Sequence, residues 1–482
     1  MDEALSILEE EFESEEKEIL DLVLLPPTGG DGTVSDEEEG DEENLTSTNI
    51  PKEVSGPLEI HTNIEIPLSH APSLTEEDVD KFIGILMLSG YHRLPRQHMY
   101  WSEQEDLEVP IVANTMLRNR FVAIKKYFHF ADNKTLTPGD KIAKIRPLYD
   151  HVNRVLERFG PYEKHLCIDE QMVPYHGHHS CTMFIRGKPV RFGFKNWVLA
   201  TASGYPVRIE MYNGKDEVEQ SEPIGLGPNV VLKLLRSVSN PAFHTVFFDN
   251  FFTSYDLMAL LSEKGFRSTG TAKDNRLLKC PLPDSKTIDQ AKRGTHWSRS
   301  DGKVLVVKWK DIKTVTVVTN FDKVEPLQQC ARRSKTEKKR VFVEQPSLIK
   351  VYNSFIGGVD LLDQAISDYR PTIVWKKWYG PLIINCFSVL RVAAWKIHKI
   401  LGGKLDQLNF CRAVVFQLLK NPRRAVARPG PRVQITKALR ESHYLVICGI
   451  EDRCVICRRN SRKKCRICDV KLHYQCFWRF HT

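Results

Sequence analysis

Residues 244–265 read HTVFFDNFFTSYDLMALLSEKG. The uncharged run Thr245–Phe248 suits a strand buried on both faces, and Asp249 ends it. From Ser254 the apolar residues recur at helical spacing until Lys264 and Gly265 close the segment. A strand, a carboxylate and a helix in that order belong to an α/β layer rather than to a helical bundle. Working outward, HLCIDEQMVPY (165–175) and KNWVLATASGYPVRIEMYNG (195–214) read as further strands, with Gly204 at a turn, and VVLKLLRSV (230–238) reads as a helix. Beyond Gly270, KVLVVKWK (303–310) and KTVTVVTN (313–320) are strand runs. Helical spacing occupies Thr75 to Phe159, with Ser73 or Thr75 as the N-cap, and returns from Leu348. The apolar run Trp378–Leu401 is broken by Arg391, Lys396 and Lys399, so it reads as a core helix and not a membrane span.

At 482 residues the chain has room for several domains, by a soft prior of roughly 150 residues each. A 41% hydrophobic content excludes a largely disordered polymer and a multi-span membrane protein. The net charge of +8 hides an asymmetry: residues 1–60 hold 20 Asp and Glu against 2 Lys, a balance of -18, which leaves +26 on the remainder. Residues 1–60 therefore read as an acidic disordered arm, and the basic body calls for a polyanionic partner, with nucleic acid first. The opening MDEALSILEEEFESEE has no basic segment followed by an apolar one, so no secretory signal is expected. Of the 12 cysteines, five crowd between Cys454 and Cys476, which fits a metal site in a reducing compartment better than disulfides.

Carboxylates stand where phosphodiester chemistry needs them. Asp169 lies in the strand string CIDEQM, Asp249 ends VFFD, and Asp360 and Asp363 sit one helical turn apart in GGVDLLDQ. Hard divalent cations take such oxygen ligands, and a pair of them activates the attacking oxygen and stabilises the leaving one. Taken singly, an Asp at a strand end is more often a turn or helix-cap residue. The apolar runs preceding Asp169 and Asp249 weigh against that reading, because a carboxylate buried there needs a ligand or a cap.

In order along the chain, IDEQMVPYHG, FIRGKPVRFGFKNWVLA, FFDNFFTSYDLMALLSEKGFRSTGT, YNSFIGGVDLLDQ and WKKWYGPLIINCF resemble the transposases of piggyBac elements and their vertebrate element-derived relatives. The resemblance runs from about Thr75 to Thr482. It implies an α/β fold with an RNase H-like DDD catalytic core, an insertion domain, and helical flanks for dimerisation and DNA binding. Asp169, Asp249 and Asp360 match the family's three catalytic carboxylates, ligands of two magnesium ions, and Asp363 matches its accessory carboxylate. The implied divisions are the arm at 1–60, a helical region at 61–160, the core at 161–271 and 346–420, the insertion at 272–345, a basic linker at 421–440 and a Cys/His domain at 441–482. Part of the family's helical lead-in is missing before EEDVDKFIGILMLSGY, so dimer geometry or end binding is expected to differ. The partners implied are double-stranded DNA and a second copy of the chain, in the nucleus and without a membrane. The competing class is a non-catalytic DNA-binding or chromatin protein that keeps the fold.

Cys454, Cys457, Cys465, Cys468, His473, Cys476 and His481 offer seven zinc donors, more than one tetrahedral site uses and one short of two. His443 or Cys448 completes the second site, and His443 is preferred because relatives carry a His upstream of the first knuckle. One or two structural zinc ions in a cross-brace finger are therefore expected, with a net charge of +13 over residues 401–482 favouring DNA as its ligand. The cluster Arg332, Arg333, Lys335, Lys338, Lys339 and Arg340 suits a nuclear localisation signal, a phosphate-contacting loop or a plain solvated loop. Arg186, Lys188, Arg191 and Lys195, interleaved with Phe184, Phe192, Phe194 and Trp197, suit a basic stacking surface for a nucleic-acid strand, although those aromatics serve equally as core. The phosphate-binding patterns GxxxxGK[ST] and GxGxxG are missing, so no nucleotide cofactor is expected.

Overall fold

The structure, a computed structural model, describes residues 20–24, 58–62, 73–160, 163–214, 222–333, 338–420, 445–466 and 468–481. The basic linker 421–440 and His443 lie outside them. Within the acidic arm, β1 (Leu20–Leu24) pairs antiparallel with β2 (Leu58–Thr62). Composition alone conceals this strand, because the apolar run LDLVL sits in acidic surroundings.

Helix α1 (Glu76–Leu88) starts at Thr75, whose hydroxyl and the Asp78 carboxylate form a capping box, so Thr75 and not Ser73 is the N-cap. With α2 (Arg118–Tyr127) and α3 (Arg146–Phe159) it makes the helical region, and α1 also packs on a late helix: a Cβ on Gly84 would fall against Leu419. Next come β3 (His165–Pro174), β4 (Thr182–Phe184), β5 (Phe192–Thr201), β6 (Pro206–Met211) and α4 (Leu226–Leu235). Then follow β7 (Thr245–Phe248), α5 (Tyr255–Glu263) and β8 (Arg267–Thr271).

These strands form one sheet. β3, β5 and β6 are antiparallel neighbours, β4 pairs with the start of β5, and β7 and β8 run parallel to β3 on its other side. All four residues of β7 are buried, as expected of a central parallel strand covered on both faces. The Ser254 hydroxyl caps α5 by accepting from Leu257 N.

The segment read as a separate insertion extends this sheet. β11 (Thr314–Thr319) pairs with β8, then β10 (Leu305–Lys310) and β9 (His296–Ser300) follow outward, giving nine strands. The segment also has an interior of its own, where Val307, Trp309 and Val317 meet Val343, Leu348 and Ile349. A two-stranded ribbon, β12 (Gln328–Arg333) with β13 (Arg340–Gln345), covers that interior.

Four helices follow: α6 (Ser347–Phe355), α7 (Gly358–Asp368), α8 (Gly380–Ile400) and α9 (Gln407–Lys420). α8 is the one helix among the described residues long and apolar enough to cross a membrane, and it is packed inside the fold. Its Arg391 is 4% exposed and donates to the Ala365 carbonyl. A small terminal unit contains β14 (Leu445–Arg453), β15 (Asn460–Cys465) and α10 (Tyr474–His481).

Candidate active site and zinc centre

The parallel register of β3 and β7 pairs Ile168 with Phe248, so the next residues on the two strands, Asp169 and Asp249, emerge side by side. With Glu170 they form a group in which one carboxylate oxygen from each residue lies within 4.8 Å of the other two. Asp249 also serves the turn: its Oδ1 accepts from Phe251 N at 3.0 Å, and its carbonyl accepts from the Thr253 hydroxyl at 2.7 Å. The turn bonds and the place among the carboxylates therefore fall on the same residue.

Lys188 reaches the same group, 3.2 Å from Glu170 Oε1 and 3.9 Å from Asp169 Oδ1. Burial first, then the charges of Glu170 and Asp249, push the Asp169 carboxyl well above the usual range against the pull of Lys188. Burial also opposes the Glu170 charge, but Lys188 and Lys195 outweigh it and hold its pKa low. Glu170 Oε2 is buried without a hydrogen-bond partner. Three carboxylates, one with an unsatisfied buried oxygen, are a donor set that fits a hard divalent cation.

Asp360 stands in the first turn of α7 and lies outside the 4.8 Å group. Its charge nonetheless acts on Cys167, Lys188 and Asp363, so α7 delivers it to the same end of β3. The close seat of that helix depends on glycine. A Cβ on Gly358 would collide with the Thr201 carbonyl and Cys167 Sγ, and Gly204, at φ +88°, makes the turn that meets Leu361. Asp363 accepts from Gln171 Nε2, while Gln171 Oε1 accepts from Asn196 and Asn385 at 3.1 and 2.8 Å. Burial, partly offset by Gln171 and Arg370, raises the Asp363 pKa to about 6. Asp363 thus ties α7 to β3, β5 and α8.

Tyr352 of α6 is 8% exposed, and burial, followed by the charges of Asp249 and Asp169, raises its phenol pKa. Its hydroxyl lies 3.4 Å from the Thr271 hydroxyl.

In the terminal unit Cys454, Cys457, His473 and Cys476 bring their donor atoms within 4.8 Å of one another. Tetrahedral bonds of about 2.3 Å place sulfur ligands roughly 3.8 Å apart, so this Cys3His set fits one zinc ion. His473 Nε2 donates to the Asn460 carbonyl at 2.8 Å, which leaves Nδ1 facing Cys457 Sγ at 3.2 Å. Burial works against the Cys454 thiolate, yet the N–H groups of Cys457, His473 and Ile456 prevail and lower its pKa to about 6. Among the described residues, Leu472 and Phe477 join the cysteines as the buried apolar side chains of the local interior.

Cys465 is buried and Cys468 half-buried, outside this set, and the intervening pair leaves the first and third pairs to share one ion. That interleaving is the cross-brace order. The side chain of His481, like all of His443, lies outside the described residues. Cys448, the other candidate, has its Sγ 2.8 Å from Lys471 Nζ and donates to the Arg462 carbonyl at 3.2 Å.

A sequence model of the family described as Transposase IS4 matches residues 51–395. Human PiggyBac transposable element-derived protein 3 is 38% identical over 419 residues, 85% of this chain and 70% of that protein. Human PiggyBac transposable element-derived protein 2 is 32% identical over 418 residues, 85% of this chain and 71% of that protein.

The chain belongs to the piggyBac transposase family.

Among solved structures, the cryo-EM structure of a piggyBac transposase synaptic complex with hairpin DNA superposes with a TM-score of 0.61 at 19% identity, covering 85% of this chain and 89% of that one. At that identity the likeness is one of fold.

The structure redistributes the basic residues picked from the sequence. Lys195 is 3% exposed, with its ammonium 4.1 Å from the Trp197 ring centre and 4.9 Å from that of Phe251, so it is not a surface DNA contact. Phe194 and Trp197 are core as well, leaving no stacking platform at their positions. The reason is the strand: β5 is central and buried from Gly193 to Thr201. Lys188 faces the carboxylates, whereas Arg186 and Arg191 are exposed. Arg332 is half-buried against Asp311 at 3.0 Å, while Arg333, Lys338, Lys339 and Arg340 are exposed at the end of the ribbon. Sequence reading overlooked Glu170, adjacent to Asp169, and Tyr352, which opens the string YNSFIGGVDLLDQ; their types and places were visible, but only folding brings them to Asp249.

Proposed function

We propose that this chain is a DDD-type DNA transposase that cuts and joins double-stranded DNA at TTAA through an RNase H-like core. The observation that carries the reading is the register-matched pair Asp169 and Asp249 at the ends of parallel strands, with Asp360 delivered by α7. The strand order β6-β5-β3-β7-β8, with β3, β7 and β8 parallel, supports the RNase H-like assignment. Asp169, Asp249 and Asp360 would hold two magnesium ions, which when bound activate the attacking oxygen and stabilise the leaving one. By family resemblance, water first nicks the element end, the freed hydroxyl attacks the opposite strand to give a hairpin on TTAA, and the opened end joins a target TTAA.

The chain's own side chains bind and orient the substrate. Arg186 and Arg191 are exposed on either side of Lys188 in the sequence, and Lys188, which contacts the acids, would meet a scissile-strand phosphate. The zinc-loaded terminus contacts element ends, and two copies of the chain act together in the nucleus without a nucleotide cofactor. The synaptic complex with hairpin DNA named for the structural neighbour supports the DNA assignment.

A second reading, a DNA-binding protein that keeps the fold without cutting, is favoured by the position of Asp360 outside the 4.8 Å group. Incubating the full chain and magnesium with TTAA-bearing duplexes taken from the DNA on either side of its coding sequence separates the two. Nicks and hairpins that vanish in Asp249→Asn, with binding intact, support the transposase; binding without any cleavage by the unmodified chain supports the second reading.

A further inference from the structure

The ribbon β12–β13 has one face that is spoken for. Cys330 and Val343 lie against Trp309, whose Nε1 donates to the Glu344 carbonyl at 2.8 Å, and Arg332 pairs with Asp311. The other face carries Phe342 at 76% exposure. A single exposed apolar side chain is ordinary on a protein surface. This one stands opposite Ala331, which is too short to cover it, and two residues nearer the ribbon tip, on the same face, Arg333 stands directly opposite Arg340. Like charges at opposed cross-strand positions destabilise a ribbon, and an anion seated between them removes that cost.

We propose that this face is a duplex-DNA contact in which Arg333 and Arg340 bracket a backbone phosphate and Phe342 makes the apolar contact to the bases in the groove. The proposal rests on the DNA-acting reading above and assigns it a surface separate from the carboxylate site. A two-stranded antiparallel ribbon has the width to enter the major groove, where apolar side chains meet the thymine methyl group. A second copy of the chain is a poor occupant, because it would bring the same paired arginines to the interface.

The ribbon continues through Pro346 into α6, the helix that carries Tyr352 to the vicinity of Asp169 and Asp249. DNA held on the ribbon is therefore attached, within a few residues of chain, to an element of the candidate active site.

The two kinds of contact differ in salt dependence. Phosphate contacts release counterions and set the slope of log affinity against log salt at about 0.9 per contact, whereas an apolar contact leaves that slope unchanged. Full-length protein titrated into a fluorescent duplex across a salt series reads both. Phe342→Ala is expected to weaken binding about tenfold at every salt concentration with the slope preserved, and Phe342→Trp to retain binding. Arg333→Ala with Arg340→Ala, which removes one phosphate contact, is expected to reduce the slope by about 0.9. Because Phe342 is exposed, its variants should melt at the temperature of the unmodified chain, which checks folding.

If the unmodified chain binds duplex DNA and both the slope and the affinity survive these substitutions, the ribbon proposal is overturned while the DNA-acting reading stands. If the unmodified chain binds no duplex at all, that reading falls with it. Loss of binding to a polyglutamate peptide, with duplex binding unchanged, would make the ribbon an acidic-protein surface and likewise overturn the proposal.

Discussion

His244 precedes the central strand β7, is 4% exposed, and has its Nδ1 3.0 Å from the Glu163 carbonyl. Burial, outweighing backbone hydrogen bonds at Glu163 and Lys164, lowers its pKa from 6.5 to about 4. The unfolded chain therefore binds a proton here that the folded chain refuses between those values. Stability from this group is complete above pH of about 6.5 and falls as the pH drops toward about 4, by roughly 3 kcal/mol in all. His244→Gln should flatten that part of the acid-unfolding profile. Urea unfolding at neutral and at mildly acidic pH measures it, and an unchanged pH dependence would assign the acid sensitivity to other groups. At the same scale, Asp169 and Asp249 were legible because each follows an apolar run. Glu170 was not, since alternation along a strand argues for opposite faces and only the folded chain brings its carboxylate to the cluster. Lys195 misled because a lysine amid aromatics looks alike on a surface and in a core.

At the scale of elements, β3, β5, β7 and α5 follow from periodicity, and the core helix α8 from an apolar run interrupted by three basic residues. The insertion was harder. Strands β10 and β11 were visible as strands and β9 was not, and the attachment of β11 to β8 depends on long-range pairing that no local pattern encodes. The terminal unit shows the opposite balance: CxxC spacing announced the donors, and the structure settled which of them meet. With so little apolar material, metal should supply most of its folding free energy. Cys476→Ser should release one equivalent of zinc per chain and unfold residues 445–481, leaving the melting of the central sheet in place. Metal analysis with calorimetry tests this, and an unchanged zinc content would mean that the Cys3His set is not the site.

For the whole molecule, charge asymmetry is the property most openly written in the sequence. Residues 1–60 carry -18 against +26 elsewhere, and on the DNA-acting reading proposed above such an arm is expected to compete with DNA for the basic body. Removing residues 1–60 should tighten non-specific DNA binding and steepen its salt dependence. Equal affinities with and without the arm would show that it does not screen the body.

The central claim is that folding turns Asp169 and Asp249 into one cation site, and it can be tested without knowing the DNA end. Manganese titrated into the full-length chain, followed by electron paramagnetic resonance, reports bound against free ion directly. Zinc should be kept saturating, so that the Cys/His terminus stays occupied. Binding by the unmodified chain that is lost in Asp169→Asn and in Asp249→Asn alike, with folding intact in both, is the predicted result. Manganese binding that survives both substitutions unchanged, or that the unmodified chain never shows even with duplex DNA present, would contradict the account.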